Sequence, residues 1–219
     1  DDWFIGSTSI TKGIPNSTVK LTKFFNYNDI DSLKKTISKY PDKIACVVLE
    51  PATSVCPIEY KNCEDNCKCS PMSKSNTKKN FLKEVQKLCN KNNIVFILDE
   101  MITGFRWHLK GAQHIYDVCP DISTFGKAMA NGFSVSCVAG KREIMQHGSI
   151  EFENRERTFL LSTTHGAEMS SLAAFIQTIN FLKENNVIQH MWNYGDKLKD
   201  MMNNIAYDLK IDDKFTVSG

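Results

Sequence analysis

The chain has 219 residues, of which 42% are hydrophobic and 24% charged, and its formal net charge is +2. This length and composition predict a folded chain with a buried core, either one large domain or one domain and part of another. The small net charge, the lack of a basic stripe with interleaved aromatics and the lack of a long apolar stretch argue against nucleic acid and membranes as partners.

The first 79 residues predict a helix, a strand and a long loop, in that order. Asp31 can cap a short helix that has apolar residues on one side and ends at Pro41. The continuous apolar run 44–49 is typical of a strand that is buried on both faces. Residues 52–79 are polar and rich in lysine and cysteine, and they predict a long loop.

The middle of the chain predicts a strand-helix-strand unit. Apolar residues recur at helical spacing from Asn80, and Asn92 ends this helix before the apolar strand 94–98. Together with the strand at 44–49, this order predicts a parallel pair with a right-handed crossover. Residues 102–118 predict a turn followed by a short helix.

The rest of the chain continues the alternation of strands and helices. Residues 122–125 and 135–139 predict two further short strands. Residues 141–147 predict a short helix, 167–183 a long helix and 191–206 a final one.

Two features suggest chemistry at the ends of neighbouring strands. The apolar strand ends in the carboxylates Asp99 and Glu100, and Lys127 follows the next predicted strand. Ligands gather at the carboxyl ends of parallel strands. An amine that can form a Schiff base, and a carboxylate that can keep a pyridine nitrogen protonated, are what an enzyme needs to hold pyridoxal phosphate.

The neighbouring residues agree with this interpretation. Gly126 lacks a side chain where a cofactor has to come close. The run Ser162-Thr163-Thr164 offers hydroxyl and backbone N–H groups just ahead of a long helix. A helix N-terminus favours anions, so this run is a candidate seat for the phosphate.

Each of these features also has an ordinary structural explanation. A Gly-Lys pair is usually solvated, a carboxylate at a strand end is often a cap, and a Ser-Thr-Thr run is more often an N-cap. Spacing alone leaves a kinase-like or a dehydrogenase-like enzyme open. The absence of a GxxxxGK[ST] loop and of a dinucleotide fingerprint weakens both alternatives.

The chain has eight cysteines. Four are dispersed among apolar residues and are predicted to be small buried side chains: Cys46, Cys89, Cys119 and Cys137. Four cluster in the long loop and are zinc candidates, against the alternative of free thiols: Cys56, Cys63, Cys67 and Cys69. The mostly dispersed usage favours a reducing, cytoplasmic location.

Several phrases along the chain resemble class III pyridoxal-phosphate aminotransferases, a family that also includes aminomutases. The longest are Leu98-Asp99-Glu100-Met101-Ile102-Thr103-Gly104-Phe105-Arg106 and Gly140-Lys141-Arg142-Glu143-Ile144-Met145. Shorter ones are Gly111-Ala112-Gln113, Pro120-Asp121, Phe125-Gly126-Lys127 and Asn131-Gly132. The match is collinear over nearly the whole chain.

The resemblance implies an α/β fold with a mostly parallel central sheet and helices on both faces. This is the large cofactor-binding domain of the fold type I family, incomplete at both ends. Residues 1–184 are then part of that large domain. Residues 185–219 are then a connecting helix and the start of a small C-terminal domain.

The resemblance also implies the roles of individual residues. Lys127 would be the Schiff-base lysine, and Asp99 would pair with the pyridine nitrogen. Met101 would pack against the cofactor ring, and Thr163 would reach the phosphate of the neighbouring subunit's cofactor. Glu50 would organise the site without reacting.

The implied activity is transfer of an amino group from a small-molecule amino donor to an oxo acceptor, in a homodimer with a shared active site. An aminomutase stays open, and so does a non-catalytic fragment with a structural zinc loop. The family's phosphate loop is expected upstream of Asp1, so we expect this chain to be a fragment. Gly166-Ala167-Glu168 replaces the family's Gly-Asn-Pro and leaves the substrate open.

Overall fold

The structure, a computed structural model, describes residues 10–52, 55–60, 77–151, 155–158, 166 and 168–217. The strands in these residues are Cys46–Leu49 (β1), Ile58–Tyr60 (β2), Thr77–Asn80 (β3), Val95–Asp99 (β4), Ile122–Phe125 (β5) and Cys137–Gly140 (β6). A four-stranded sheet has the order β1-β4-β5-β6. Its first two pairings are parallel and the third is antiparallel. The predicted mostly parallel sheet is therefore confirmed.

The helices in the described residues are Asn16–Lys20 (α1), Ile30–Lys39 (α2), Phe81–Lys91 (α3), Ala112–Ile115 (α4), Arg142–Met145 (α5), Met169–Glu184 (α6) and Val187–Asp208 (α7). The predicted elements from residue 80 onward are confirmed in type, with ends that move by up to four residues. Among the described helices, none combines the length and apolar character that crossing a membrane requires.

The helix α2 begins two residues earlier than a cap at Asp31 would allow. The Asp29 carboxylate accepts hydrogen bonds from the backbone N–H groups of Asp31, at 3.1 Å, and Ser32, at 3.0 Å. Asp29 is therefore the N-cap, and Asp31 lies in the first turn, where it pairs with Lys34. The prediction of Asp31 as the cap is wrong because two aspartates at this spacing compete for the same role.

The main hydrophobic core lies between the sheet and the helices α2 and α3. Its members on these helices and strands are buried apolar side chains: Ile30, Leu33, Val47, Leu49, Phe81, Leu82, Val85, Cys89, Phe96 and Leu98. The apolar side chains of both helices face the sheet, as their periodic spacing predicts. This packing fixes the position of β4, the strand that ends at Asp99, relative to the two helices.

The strand β1 is buried on one face only. Val47 and Leu49 belong to the core, whereas Cys46 and Val48 are exposed. The prediction of a strand buried on both faces is therefore wrong for β1. A continuous apolar run does not reveal which face a helix covers.

Two other predictions need correction. The segment predicted as one long loop, 52–79, contains strand residues, because β2 pairs with β3 in an antiparallel sheet. Of the four dispersed cysteines predicted to be buried, only Cys89 is buried, and burial raises the pKa of its thiol to about 12. Cys46 and Cys119 are exposed, and Cys137 is half-buried.

A buried aspartate joins three strands at the end of the sheet opposite to Asp99. The Asp121 carboxylate accepts a hydrogen bond from the Phe96 N–H at 2.7 Å and an ion pair from Lys141 Nζ at 2.6 Å. Backbone bonds run from Asp121 N to Phe96 O and from Lys141 N to Asp121 O. Asp121 therefore fixes the starts of β4 and β5 and the end of β6, and it raises the pKa of Lys141.

Candidate active site

The two residues singled out in the sequence lie at the same edge of the sheet. The strands β4 and β5 are parallel neighbours, and their register pairs Asp99 with Thr124. A further backbone bond, from Glu100 N to Thr124 O at 3.0 Å, continues this pairing past the strand end. Lys127 follows three residues after Thr124, at the same carboxyl edge. This is where ligands bind in open α/β sheets.

The Asp99 side chain is oriented by two donors. Its Oδ1 accepts a hydrogen bond from the Thr124 hydroxyl at 2.8 Å and one from the Met101 N–H at 3.0 Å. The side chain is nearly buried, with 6% exposure. Within the described part of the chain, Oδ2 accepts no hydrogen bond, so one oxygen of this carboxylate is left for a ligand.

Met101 connects the turn after β4 with the segment that carries Lys127. A Cβ atom added at Gly126 would overlap Met101 Cε and lie 2.9 Å from Met101 Sδ. The Met101 side chain therefore fills the space that glycine leaves open. The sequence suggested that this space serves the cofactor directly, whereas the structure gives it to the side chain that the resemblance assigns to the cofactor ring.

Lys127 stands in an unusual backbone conformation. Its φ is +45°, in the left-handed region that lysine rarely adopts, and it begins a short 3-10 turn that ends at Met129. Such conformations cost about 1–3 kcal/mol and cluster at functional sites. The side chain is exposed and makes no hydrogen bond or ion pair with other described residues. The amine is therefore held at the edge of the sheet without a partner from the described chain.

Glu100 has a role that the sequence did not reveal. This carboxylate is fully buried, and its partners are all neutral donors. Oε2 accepts from the Thr103 hydroxyl at 2.6 Å and from Ala112 N at 2.8 Å, and Oε1 accepts from Gln113 N at 2.8 Å. The last two donors are the first N–H groups of α4, whose own N-cap, Gly111, offers no side chain. Glu100 thus caps α4 and closes the loop 101–111.

Aromatic side chains of the same loop reach the two long helices. Phe105 contacts Phe125 and Phe175, with ring centroids 5.7 Å and 5.9 Å away. Trp107 meets Trp192 of α7 edge to face at 5.3 Å. These contacts join the loop that follows Asp99 to α6 and α7.

Tyr27 anchors the segment that follows β1. Its hydroxyl donates to the Pro51 carbonyl at 2.5 Å, and burial raises the pKa of Tyr27. Pro51 follows Glu50, which is half-buried just past the end of β1. This position is compatible with the organising role expected for Glu50, and no contact in the described chain tests it.

Several predicted site residues lie outside the described residues. These are Thr163, with the rest of the Ser162-Thr163-Thr164 run, and the zinc candidates Cys63, Cys67 and Cys69. Cys56 is described and half-buried, and its carbonyl accepts from Asn28 Nδ2 at 3.0 Å. The described residues hold no group of three or more metal-ligating side chains.

The described side chains fit the pyridine end of pyridoxal phosphate. An oriented carboxylate with one open oxygen can hold a protonated ring nitrogen, and the exposed amine of Lys127 can bond to an aldehyde. Thr124 and Glu100 support this site and were missed as functional residues. The signal for Thr124 is its register opposite Asp99, which a sequence without strand pairing does not give.

The loop 101–111 also contains a histidine, His108, whose protonation destabilises the folded state. The His108 ring stacks on the His114 ring with centroids 4.2 Å apart, and its Nδ1 accepts from Lys110 N at 3.0 Å. Burial, His114 and Lys110 lower the pKa of His108. The unfolded chain therefore binds this proton more readily, so stability is full above the unfolded pKa and is lost as the pH falls below it.

We expect the melting temperature of the full-length protein to fall between about pH 7.5 and about pH 5 in part because of His108. In His108→Asn this fall should be smaller, because the asparagine oxygen can accept the same N–H but does not titrate. Thermal melts across this pH range measure the difference. His190→Asn, on the surface of α7, is the control and should keep the wild-type slope. An equal slope in His108→Asn and wild type would contradict the prediction.

A family profile and individual known proteins match this chain and agree with the resemblance seen in its sequence. The family profile described as aminotransferase class-III matches residues 73–213. The glutamate-1-semialdehyde 2,1-aminomutase of Methanosphaera stadtmanae is 36% identical over 166 residues, which cover 74% of this chain and 34% of that protein. That of Hyperthermus butylicus is 32% identical over 202 residues, which cover 92% of this chain and 42% of that protein. The chain thus spans less than half the length of these relatives.

Solved structures share the fold. A structure described as a transaminase with PLP bound has a TM-score of 0.74 at 19% identity, covering 95% of this chain and 44% of that one. An omega-transaminase from Sphaerobacter thermophilus has a TM-score of 0.71 at 22% identity, covering 92% of this chain and 42% of that one. At these identities, the structural similarity shows that the chains share a fold.

Proposed function

Because the chain belongs to the class III aminotransferase family, we propose that the full-length protein is a pyridoxal-phosphate-dependent enzyme that transfers amino groups. Lys127 is the residue that bonds to the cofactor. The observation that carries this proposal is the meeting of an oriented Asp99, Met101 and Lys127 at one edge of the sheet. A structural cap and a surface lysine, taken singly, do not explain why all three lie at this one edge.

Each residue has a separate task. When bound, pyridoxal phosphate supplies an aldehyde that bonds to amines and a ring that accepts electrons. Lys127 Nζ would bond to the aldehyde until the amine of the substrate replaces it, and the freed Nζ would then remove and return a proton of the substrate. Asp99 Oδ2 would accept a hydrogen bond from the protonated ring nitrogen, and Met101 would limit the position of the ring. Thr163 stays a prediction for the phosphate.

The position of Met101 yields a test of the cofactor's contact with this side chain. In Gly126→Ala the new methyl group overlaps Met101 Cε, which lies at the flexible end of its side chain. We expect a loss of stability of at most about 1 kcal/mol, since that end can move aside. We expect a larger effect on the cofactor, a roughly tenfold loss of affinity, because Met101 has left its place.

Denaturant unfolding of the cofactor-free protein and titration with pyridoxal phosphate measure the two effects on the same sample. Met101→Ala/Gly126→Ala is the control, because removal of the Met101 side chain removes the overlap and should restore the stability. Wild-type cofactor affinity in Gly126→Ala would show that Met101 does not contact the ring.

A second candidate function is the aminomutase reaction, favoured by the names of the curated relatives. An aminotransferase passes the amino group to a second substrate, whereas an aminomutase returns it to the adjacent carbon of the same molecule. The described residues serve both reactions equally, because the site supplies the same amine and carboxylate to each.

One experiment separates the candidates. The full-length protein with pyridoxal phosphate is incubated with glutamate-1-semialdehyde alone, and then with an amino donor and an oxo acceptor. Product from the single substrate indicates the aminomutase, and product only with both partners indicates the aminotransferase. A full-length protein that takes up no cofactor and turns over neither mixture would contradict the enzyme proposal.

The proposal extends to assembly and organisation. The full-length protein forms a homodimer in which Thr163 of one subunit completes the site of the other, as the family resemblance implies. Residues 1–184 are part of the large domain, and the connecting helix and small domain begin at residue 185. The predicted cytoplasmic location is part of the same proposal.

A further inference from the structure

The hydroxyl of Thr124 is the only side-chain group of the described residues that donates to Asp99. The hydrogen bond has a length of 2.8 Å, and it goes to the same oxygen that accepts the Met101 N–H. A carboxylate with two donors on Oδ1 cannot rotate freely, because rotation about its Cβ–Cγ bond would break both bonds. Because both donors bond to Oδ1, Oδ2 is the oxygen that is available to a ligand.

The sheet itself puts Thr124 in this place. The register of β4 and β5 pairs Asp99 with Thr124, and the Thr124 carbonyl accepts from Glu100 N. Thr124 is half-buried, so solvent competes little with its hydroxyl. A surface threonine that met Asp99 by chance would lack these backbone constraints.

We propose that Thr124 is a positioning residue for the cofactor, acting through Asp99 on the ring nitrogen. This inference rests on the proposed function, since it presumes that Asp99 holds pyridoxal phosphate. The Thr124 hydroxyl holds Oδ1, and Oδ2 is thereby aimed at the ring. Without the hydroxyl, the carboxylate samples other rotations and binds the ring nitrogen less well.

A purely structural role predicts something different. If the hydroxyl only ties β5 to β4, its loss lowers the stability of the protein but leaves the bound cofactor unchanged. Two properties of the bound cofactor distinguish the roles: its dissociation constant and the pH midpoint of its visible absorption band. Both depend on the charge held near the ring nitrogen.

The test compares Thr124→Val with Thr124→Ser in the full-length protein. Valine keeps the shape of the side chain without the hydroxyl, and serine keeps the hydroxyl without the methyl group. We expect Thr124→Val to weaken pyridoxal-phosphate affinity about tenfold, the effect of one hydrogen bond to a charged group. The midpoint of the absorption band should shift with it, and Thr124→Ser should restore both properties to within about twofold.

Ser123→Ala is the matched control, because Ser123 is the adjacent buried hydroxyl residue of β5 and makes no bond to Asp99. It should leave the affinity and the midpoint unchanged. A second measurement uses the Asp99→Asn background. There Thr124→Val should add little to the loss that Asp99→Asn already causes.

Three results would overturn the inference. They are wild-type affinity and midpoint in Thr124→Val, no recovery in Thr124→Ser, and an undiminished effect of Thr124→Val in Asp99→Asn. If the Thr124→Val protein does not fold, the comparison of Thr124→Ser and Thr124→Ala decides by the same criteria. If the wild-type protein forms no visible band with added cofactor, the proposed function itself is refuted. This outcome differs from one in which the wild-type protein forms the band and only the Thr124 inference fails.

Discussion

Replacing Lys127 by alanine should abolish the visible absorption band of lysine-bound cofactor and lower the rate of amino transfer by at least about a thousandfold. The reason is that the proposed function gives one atom, Lys127 Nζ, two tasks, as the nucleophile toward the aldehyde and as the group that moves the proton. Its position at the carboxyl edge of the sheet, in a left-handed backbone conformation, distinguishes this exposed side chain from an ordinary surface lysine.

The measurement for Lys127 combines absorbance with chemical trapping. The full-length protein is loaded with pyridoxal phosphate and reduced with borohydride, and the modified peptide is identified by mass spectrometry. Lys87→Ala, on the exposed side of α3, is the control and should keep the band and the activity. Modification of a lysine other than Lys127 in the wild-type protein would refute the assignment.

The largest effect on stability should come from Gly111→Ala. Gly111 has φ +77° and ψ +171°, a region that only glycine adopts easily. A Cβ atom there would also overlap Glu100 Oε1 and lie 2.8 Å from Glu100 Cδ. Backbone and carboxylate cannot both stay in place, so the hydrogen bonds from Ala112 N and Gln113 N to Glu100 break. We expect a loss of about 3–5 kcal/mol in the free energy of unfolding.

A second glycine separates the two causes of this loss. Gly13 also has a positive φ, +89°, but an added Cβ atom there would have no neighbour within 4 Å. Gly13→Ala therefore measures backbone strain alone and should cost about 1–2 kcal/mol. Denaturant unfolding of both variants in the full-length protein gives the difference. Equal losses would mean that the contact with Glu100 contributes nothing.

The alternation of elements and the position of the site were predictable because they depend on local patterns. The apolar run 94–98 predicted β4, and the short segment 122–125 predicted β5. Asp99, at the end of β4, and Lys127, just after β5, share one edge because the two strands are parallel neighbours. The structure confirms the strands and the parallel pairing. It does not test the catalytic roles, which stay proposals.

Other features were hidden from the sequence because they depend on packing. The helices α2 and α3 cover one face of the sheet at β1, so Cys46 and Val48 on the other face are exposed. An apolar run alone does not reveal which face is covered. Glu100 stands next to Asp99 in the sequence, yet its side chain is buried and accepts hydrogen bonds from Ala112 N and Gln113 N. Such a contact spans twelve residues or more of chain, beyond the reach of any periodicity.

The ion pair and hydrogen bonds of Asp121 have an evolutionary consequence. They settle the alignment of three strands at the edge that faces away from Lys127. Mutations that remodel the turns around Asp99 and Lys127 therefore leave that alignment intact. One edge of a sheet built in this way can change in sequence while the opposite edge keeps the strands aligned, and a single fold can thereby carry different sites.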